Sequence, residues 1–200
     1  MTELAIIPNV ENSPVNFTQA EIGWTPWLQP LAEDDLTERH LRGLVEAARA
    51  KSPYFRLLVR DPEVLEARTR TDKDIFYNTR TGLPRAEREL AATAASRSNG
   101  CIFCASVHSR FASHHSKRGD DVQKLLDEGV GADLGDRWNA IVAASVALTA
   151  TPSVFAEEHI ARLAAVGLDE LEIADVIHGA AFFNWANRLM LSLGEPTPAN

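Results

Sequence analysis

Cysteine is nearly missing from this chain: its 200 residues hold two, three positions apart. That is too few for a secreted disulfide framework, so the pair reads as catalytic or metal-binding in a reducing compartment. No run of about 18 apolar residues occurs, which argues against a membrane span. Basic residues are outnumbered, with 20 Lys and Arg against 28 Asp and Glu, so the net charge of −8 repels phosphate backbones and makes nucleic acid a poor partner. The N-terminus lacks the basic flank and apolar stretch of a secretory signal, so the expected compartment is the cytoplasm. Strand-like alternation of useful length is missing as well, and the expected class is all-α. With 45% hydrophobic and 24% charged residues, the composition suits one well-cored soluble domain.

What is present is helical patterning broken by turn signals. Residues 1–33, with scattered prolines and asparagines, read as an extended arm that packs on a neighbour, anchored by Trp24 and Trp27. The helical domain spans 34–200. Its first helix is expected over 34–50, from the spacing of Leu36, Leu41 and Leu44, with Ser52-Pro53 ending the run. Asp61-Pro62 has the form of an N-cap and first-turn proline, opening a helix to Tyr77. Further helices are expected over 84–96, 101–117, 121–127, 136–148 and 170–193, with another segment before Gly167. Thr81-Gly82-Leu83-Pro84 and Val166-Gly167-Leu168-Asp169 echo one another ahead of acidic helix starts, as a duplicated helical pair would leave them.

The chemistry concentrates in Asn99-Gly100-Cys101-Ile102-Phe103-Cys104-Ala105-Ser106-Val107-His108. At about 100° per residue, Cys101, Cys104 and His108 share an arc of roughly 60° on one helical face. A helix start also favours an anion, so the Cys101 thiol should gain acidity from it, while Cys104 depends more on His108 one turn on. Spacing alone leaves open which thiol attacks first. Zinc is the competing reading, but the nearest further ligands, His114 and His115, lie about two turns beyond His108, roughly 10 Å along the axis, so a fourth ligand is wanting. Two buried, inert cysteines are the plainer alternative. Trp138, Phe182, Phe183 and Trp185 are candidate pocket residues, although aromatics at helical spacing are more often core, and His178 reads as a structural histidine.

Glu89, eleven intervening residues, then Cys101-x-x-Cys104-x-x-x-His108 resembles the active-site signature of alkylhydroperoxidase D-like proteins in the carboxymuconolactone decarboxylase superfamily. Arg88-Glu89-Leu90 ahead of the Asn-Gly-Cys turn looks like the peroxidase-related branch. The resemblance is strongest over 81–118, persists through Asn184-x-x-Asn187-Arg188, and is looser over Ser52-Pro53-Tyr54-Phe55-Arg56 and the arm. It implies an all-helical bundle, homo-oligomeric as a trimer or hexamer, that reduces organic hydroperoxides. By the same match, Cys104 is oxidised to a sulfenic acid, Cys101 resolves it as a disulfide, and Glu89 and His108 relay the protons through water. An external thiol or lipoyl-type reductant would regenerate the dithiol, with no cofactor and no metal. The match alone selects Glu89 over Glu87. One departure is Phe103, where the best-known members carry a histidine. Other classes remain open: a non-redox lyase like the superfamily's lactone decarboxylases, which do not depend on a cysteine pair, or a thiol redox sensor.

Overall fold

The computed structural model describes residues 6, 7, 11, 13–78 and 80–198. Within them the chain forms α1 (Glu38–Leu44), α2 (Pro53–Leu58), α3 (Pro62–Tyr77), α4 (Arg85–Asn99), α5 (Ile102–Ser116), α6 (Gly119–Glu128), α7 (Asp136–Thr149), α8 (Glu157–Ala165) and α9 (Glu170–Leu193). The all-helical expectation holds, with one addition. Two short strands, β1 (Gly23–Pro26) and β2 (Gly194–Thr197), pair antiparallel, Trp24 opposite Pro196. Four-residue strands are too short for alternation to show in sequence. Their pairing also ties the described part of the arm to the C-terminus of its own chain. Trp24 meets the Tyr54 ring edge-on at 5.4 Å, and the Trp27 indole N–H donates to Glu195 at 3.3 Å.

The expected helix over 34–50 breaks into α1 flanked by short 3-10 turns at Glu33–Asp35 and Ala47–Lys51. Thr37 caps α1, with its side chain accepting from the His40 N–H. Gly43 lies so close to Pro62 that a Cβ there would come within 2.7 Å of it, and Val45 adopts φ 64°, which ends the helix. Pro53 opens α2 at its first turn instead of closing the preceding run, because its missing N–H has no partner to lose there. From α3 onward the boundaries follow the turn signals: Asp61 accepts from the Val64 N–H at 3.3 Å, Lys117 ends α5 at φ 62°, and Asp169 and Glu172 close a capping box on α9.

Helix α4 lies at the centre, packed on α5, α7 and α9. Every residue from Glu87 to Ser96 is buried, which explains why its alanines define no amphipathic face. Alanines let the neighbouring helices approach closely, and Gly179 of α9 sits where a Cβ would be 3.6 Å from the Arg88 carbonyl. One apolar cluster joins Leu90 and Ala94 to α6, α7, α8 and α9 through Leu125, Ile141, Leu163 and Val176. A second joins Ala92 and Ala95 to Phe76, Phe183, Met190 and both cysteines. The two Gly-Leu turns are alike in structure: Gly82 and Gly167 have φ of 74° and 86°, and Leu83 and Leu168 enter the same cluster. Among the described residues, no helix is long and apolar enough to cross a membrane.

Burying α4 means burying charge. Arg88, 3% exposed, donates to the carbonyls of Leu83, Ile75 and Thr81 at 2.6, 2.7 and 2.9 Å and pairs with Asp175 at 2.7 Å. It thereby fixes the α3–α4 turn to α9. Arg88→Met should lower unfolding stability by about 3–5 kcal/mol in urea denaturation, because three carbonyls and the Asp175 carboxylate lose a buried partner. Arg39→Met, whose pair with Glu63 lies in solvent, should leave the midpoint in place.

Candidate active site

The site is built where α4 gives way to α5. Gly100 takes φ 77°, a left-handed conformation open to glycine without strain, and reverses the chain so that the Cys101 N–H reaches the Ser96 carbonyl at 3.0 Å. Helix α9 clamps this turn. The Asn99 side-chain amide donates to Asn184 and Asn187 at 3.1 and 3.0 Å, and fully buried Asn187 donates to the Ser96 hydroxyl at 3.0 Å. The Asn-x-x-Asn spacing thus places two acceptors on one helical face, against the turn that carries the first cysteine.

Cys101 is the N-cap residue of α5, with φ −81° and ψ 89°, and its sulfur accepts from the Cys104 N–H at 3.4 Å. It stands just outside the helical wheel that the spacing suggests. Cys101 and Cys104 are joined as a disulfide, with their Cα atoms 5.4 Å apart. Both are buried, but they border different spaces. Cys104 lines a cavity of about 440 Å³ together with His108, Glu89, Phe76 and Phe183. Cys101 lines a separate cleft of about 220 Å³ under Trp24 and the β2 segment.

Glu89 and His108 meet directly. His108 Nδ1 lies 2.5 Å from Glu89 Oε2, and Glu89 is completely buried. A carboxylate at Nδ1 fixes that nitrogen as the N–H donor, leaving Nε2 as the one able to take a proton from the cavity. The imidazole is held edge-on to Phe183 at 3.9 Å and tilted against Phe76 at 5.4 Å. Oε1, the other Glu89 oxygen, accepts from Arg85 Nε at 2.6 Å and Nη2 at 2.5 Å. Glu87 faces another way. It forms a bidentate pair with Arg137, both contacts at 2.8 Å, and Arg137 reaches Glu172 at 3.3 Å. Of the two acids that helical periodicity leaves open, Glu89 is the one that lies against His108 and the cavity.

Of the candidate pocket aromatics, Phe183 alone lines the cavity. Trp138 is buried in the main core beneath the Arg118 guanidinium, Phe182 packs toward Arg68, and Trp185 is 42% exposed. His178 is exposed, not the structural histidine expected, since it falls on the outward face of α9. Phe103 lines the cavity where the signature's relatives carry an imidazole, so it contributes bulk and no proton. His114 and His115 stack edge-on on α5; burial, and next the Arg85 charge, hold His115 below its ordinary value. Among the described residues, no group of three or more His, Cys, Asp or Glu is arranged to hold a metal ion. Sequence reading missed Arg85, Tyr54 and Phe76. The four-residue spacing of Arg85 and Glu89 was the one available signal, and it usually marks a solvated pair.

The two neighbouring acids should separate in experiment. Glu87→Gln should cost about 1–3 kcal/mol of unfolding stability and leave alkylation of the reduced Cys104 thiol at the wild-type rate. Glu89→Gln should slow that alkylation by about tenfold or more at neutral pH. Peptide mass spectrometry after timed iodoacetamide labelling reads both.

Residues 62–147 match the carboxymuconolactone decarboxylase family. No curated protein matches the chain. Among solved structures, it is similar to an alkylhydroperoxidase AhpD core, an uncharacterised peroxidase-related protein from Ralstonia eutropha JMP134. Identity there is 19% and the TM-score 0.67, over 80% of this chain and 86% of that one. An uncharacterised peroxidase-related protein from Silicibacter sp. TM1040 gives 20% identity and a TM-score of 0.67, over 96% and 95%. The debrominase Bmp8 gives 20% and 0.64, over 82% and 88%. These likenesses establish the fold, and the family match covers the helices that carry the cysteines, Glu89 and His108. The chain thus carries a carboxymuconolactone decarboxylase family match over residues 62–147, within a fold similar to that of the alkylhydroperoxidase D core.

Proposed function

We propose that this protein is a thiol-dependent peroxidase that reduces organic hydroperoxides through a Cys101/Cys104 dithiol-disulfide cycle. The observation that carries the reading is that Cys104, one turn from His108, shares a cavity with the buried His108–Glu89 pair, and its partner sulfur is already within bonding reach. In the reduced protein His108 Nε2 accepts the Cys104 proton. The thiolate attacks the distal peroxide oxygen, an S–O bond forms as the O–O bond breaks, and the imidazolium returns its proton to the departing alkoxide. Alcohol leaves, and Cys104 is a sulfenic acid. Cys101 then attacks Cys104 Sγ, forming the disulfide and releasing the hydroxyl as water. Two thiol equivalents from an external thiol or lipoyl-type carrier return the pair to its dithiol form.

Aromatic walls from Phe76, Phe103, Phe111 and Phe183 favour an organic body on the peroxide over hydrogen peroxide itself. The same features support a second reading. Bmp8 is a debrominase, and a cysteine-to-alanine variant of it has been crystallised with 2,3,4-tribromopyrrole, so a flat halogenated ring is a rival occupant of such a cavity. The oligomer belongs to the proposal too, as a homotrimer or hexamer in a reducing cytoplasm. Light scattering that gave the mass of a single chain at micromolar concentration would sink that part.

One equivalent of an organic hydroperoxide added anaerobically to the reduced protein should consume both thiols and yield a Cys101–Cys104 disulfide on peptide mass spectrometry. Cys101→Ser should complete one round and stop at a trappable sulfenic acid on Cys104, whereas Cys104→Ser should not react. Sulfenic acid on Cys101 of the Cys104→Ser protein at the wild-type rate would reverse the roles. Bromide release from a bromopyrrole, with thiols indifferent to hydroperoxide, would decide for dehalogenation.

A further inference from the structure

The proposed proton relay leaves one half-buried cation without a task. Arg85, whose side chain is 13% exposed, opens α4 one turn before Glu89 and lines the same cavity as Cys104. It is held on both sides: its guanidinium makes two contacts with Glu89 Oε1, and its charge lies 4.2 Å from the Tyr77 ring centroid and 5.5 Å from that of Phe111. We propose that Arg85 is a positioning residue that supplies the counter-charge for Glu89, so that His108 need not supply it and stays free to accept the Cys104 proton. The consequence for turnover rests on the peroxidase reading, whereas the charge assignment rests on geometry alone.

A carboxylate with no exposed surface must be matched by a cation or give up its charge. Among the described residues, Arg85 and His108 are the two basic side chains paired with Glu89, one on each oxygen. If His108 had to do the balancing, it would be held as an imidazolium, a donor at both nitrogens and unable to act as a base. A guanidinium keeps its charge across the working pH range, so Arg85 makes the carboxylate neutral overall before His108 is counted. Glu89 then acts on His108 as an orienting acceptor for Nδ1–H. The remaining charged groups around the cavity are spoken for. On α3, Arg68 pairs with Asp72 at 3.6 Å; beside α2, Glu46 pairs with Arg49 and Lys73; on α5, burial and then the Arg85 charge disfavour the charged form of His115. The α9 wall contributes Phe183, Ala186 and Met190 and no charge. The departure at Phe103 fits this arrangement, since the site has one imidazole beside Cys104 and the guanidinium keeps that one available.

The test follows the His108 imidazole directly by NMR in the full-length protein with labelled histidine, in wild type, Arg85→Gln and Arg85→Lys. Arg85→Gln should move the His108 titration midpoint upward by about one unit or more, and Arg85→Lys should restore most of it. Arg85→Met, which keeps the aliphatic stem against Tyr77, serves if Arg85→Gln does not fold. The pH at which the reduced protein begins to react with an organic hydroperoxide should rise by the same amount in stopped-flow measurements. An unshifted His108 midpoint in a folded Arg85→Gln or Arg85→Met protein would overturn the assignment. A shifted midpoint together with a wild type inert to hydroperoxide would uphold it and sink the peroxidase reading instead.

Discussion

Helix α4 passes through the middle of the molecule with ten consecutive residues out of water, and three of them, Glu87, Arg88 and Glu89, are ionisable. Burying such a run is unfavourable unless each charge meets a partner of fixed geometry. Each does so on a different element: Glu87 reaches α7 through Arg137, Arg88 reaches α9 through Asp175 and caps the end of α3, and Glu89 reaches α5 through His108. Three neighbouring helices are thereby located by three successive side chains. Apolar packing of the alanines against those helices supplies the driving force, but it is non-directional and would tolerate sliding. The ion pairs do not.

The same arrangement explains why the cysteine-bearing turn has a defined shape. Asn99 and Ser96 at the end of α4 are held by Asn184 and Asn187 of α9, and the register of α9 is held in turn by Asp175 on Arg88. A hydrogen-bonded path therefore runs from the α3–α4 loop to the residue before Gly100. Cys101 and Cys104 inherit their separation from that turn, and His108 inherits its position from Glu89.

Much of this was legible in the sequence, for definite reasons. The helices from Asp61 onward are bounded by turn chemistry that acts locally: Asp61-Pro62, Gly82-Leu83, Asn99-Gly100 and Gly167-Leu168 each fix their own backbone. Cys101, Cys104 and His108 could be grouped because they lie on one element. Glu89 could not be derived so, since it comes from another helix whose wholly buried surface erases the pattern that marks an inward face. The resemblance identified it where periodicity failed. The 34–50 segment was misread because Gly43 is dictated by its approach to Pro62, a tertiary contact, and the β1–β2 pair joins residues some 170 positions apart, for which four-residue strands carry no local signal.

The two faces of the disulfide bear on how a cycle of the proposed kind could be organised. Thiol-disulfide exchange proceeds along the S–S axis, so an attacking thiolate approaches one sulfur from the side opposite the other. Attack on Cys104 comes through the 440 Å³ cavity and expels Cys101, whose sulfur sits at the α5 N-terminus and already accepts the Cys104 N–H. That position favours a departing anion. Attack on Cys101 comes from the narrower 220 Å³ cleft beneath Trp24 and expels Cys104 toward His108, which can return a proton to it. Each leaving sulfur has its own stabilisation, the helix terminus for Cys101 and the His108 proton for Cys104, so access decides, and the first route has the wider approach. On the proposed cycle, peroxide and reductant would then use the Cys104 cavity in alternation, and the strand pair over Cys101 would serve to keep solvent from the resolving sulfur.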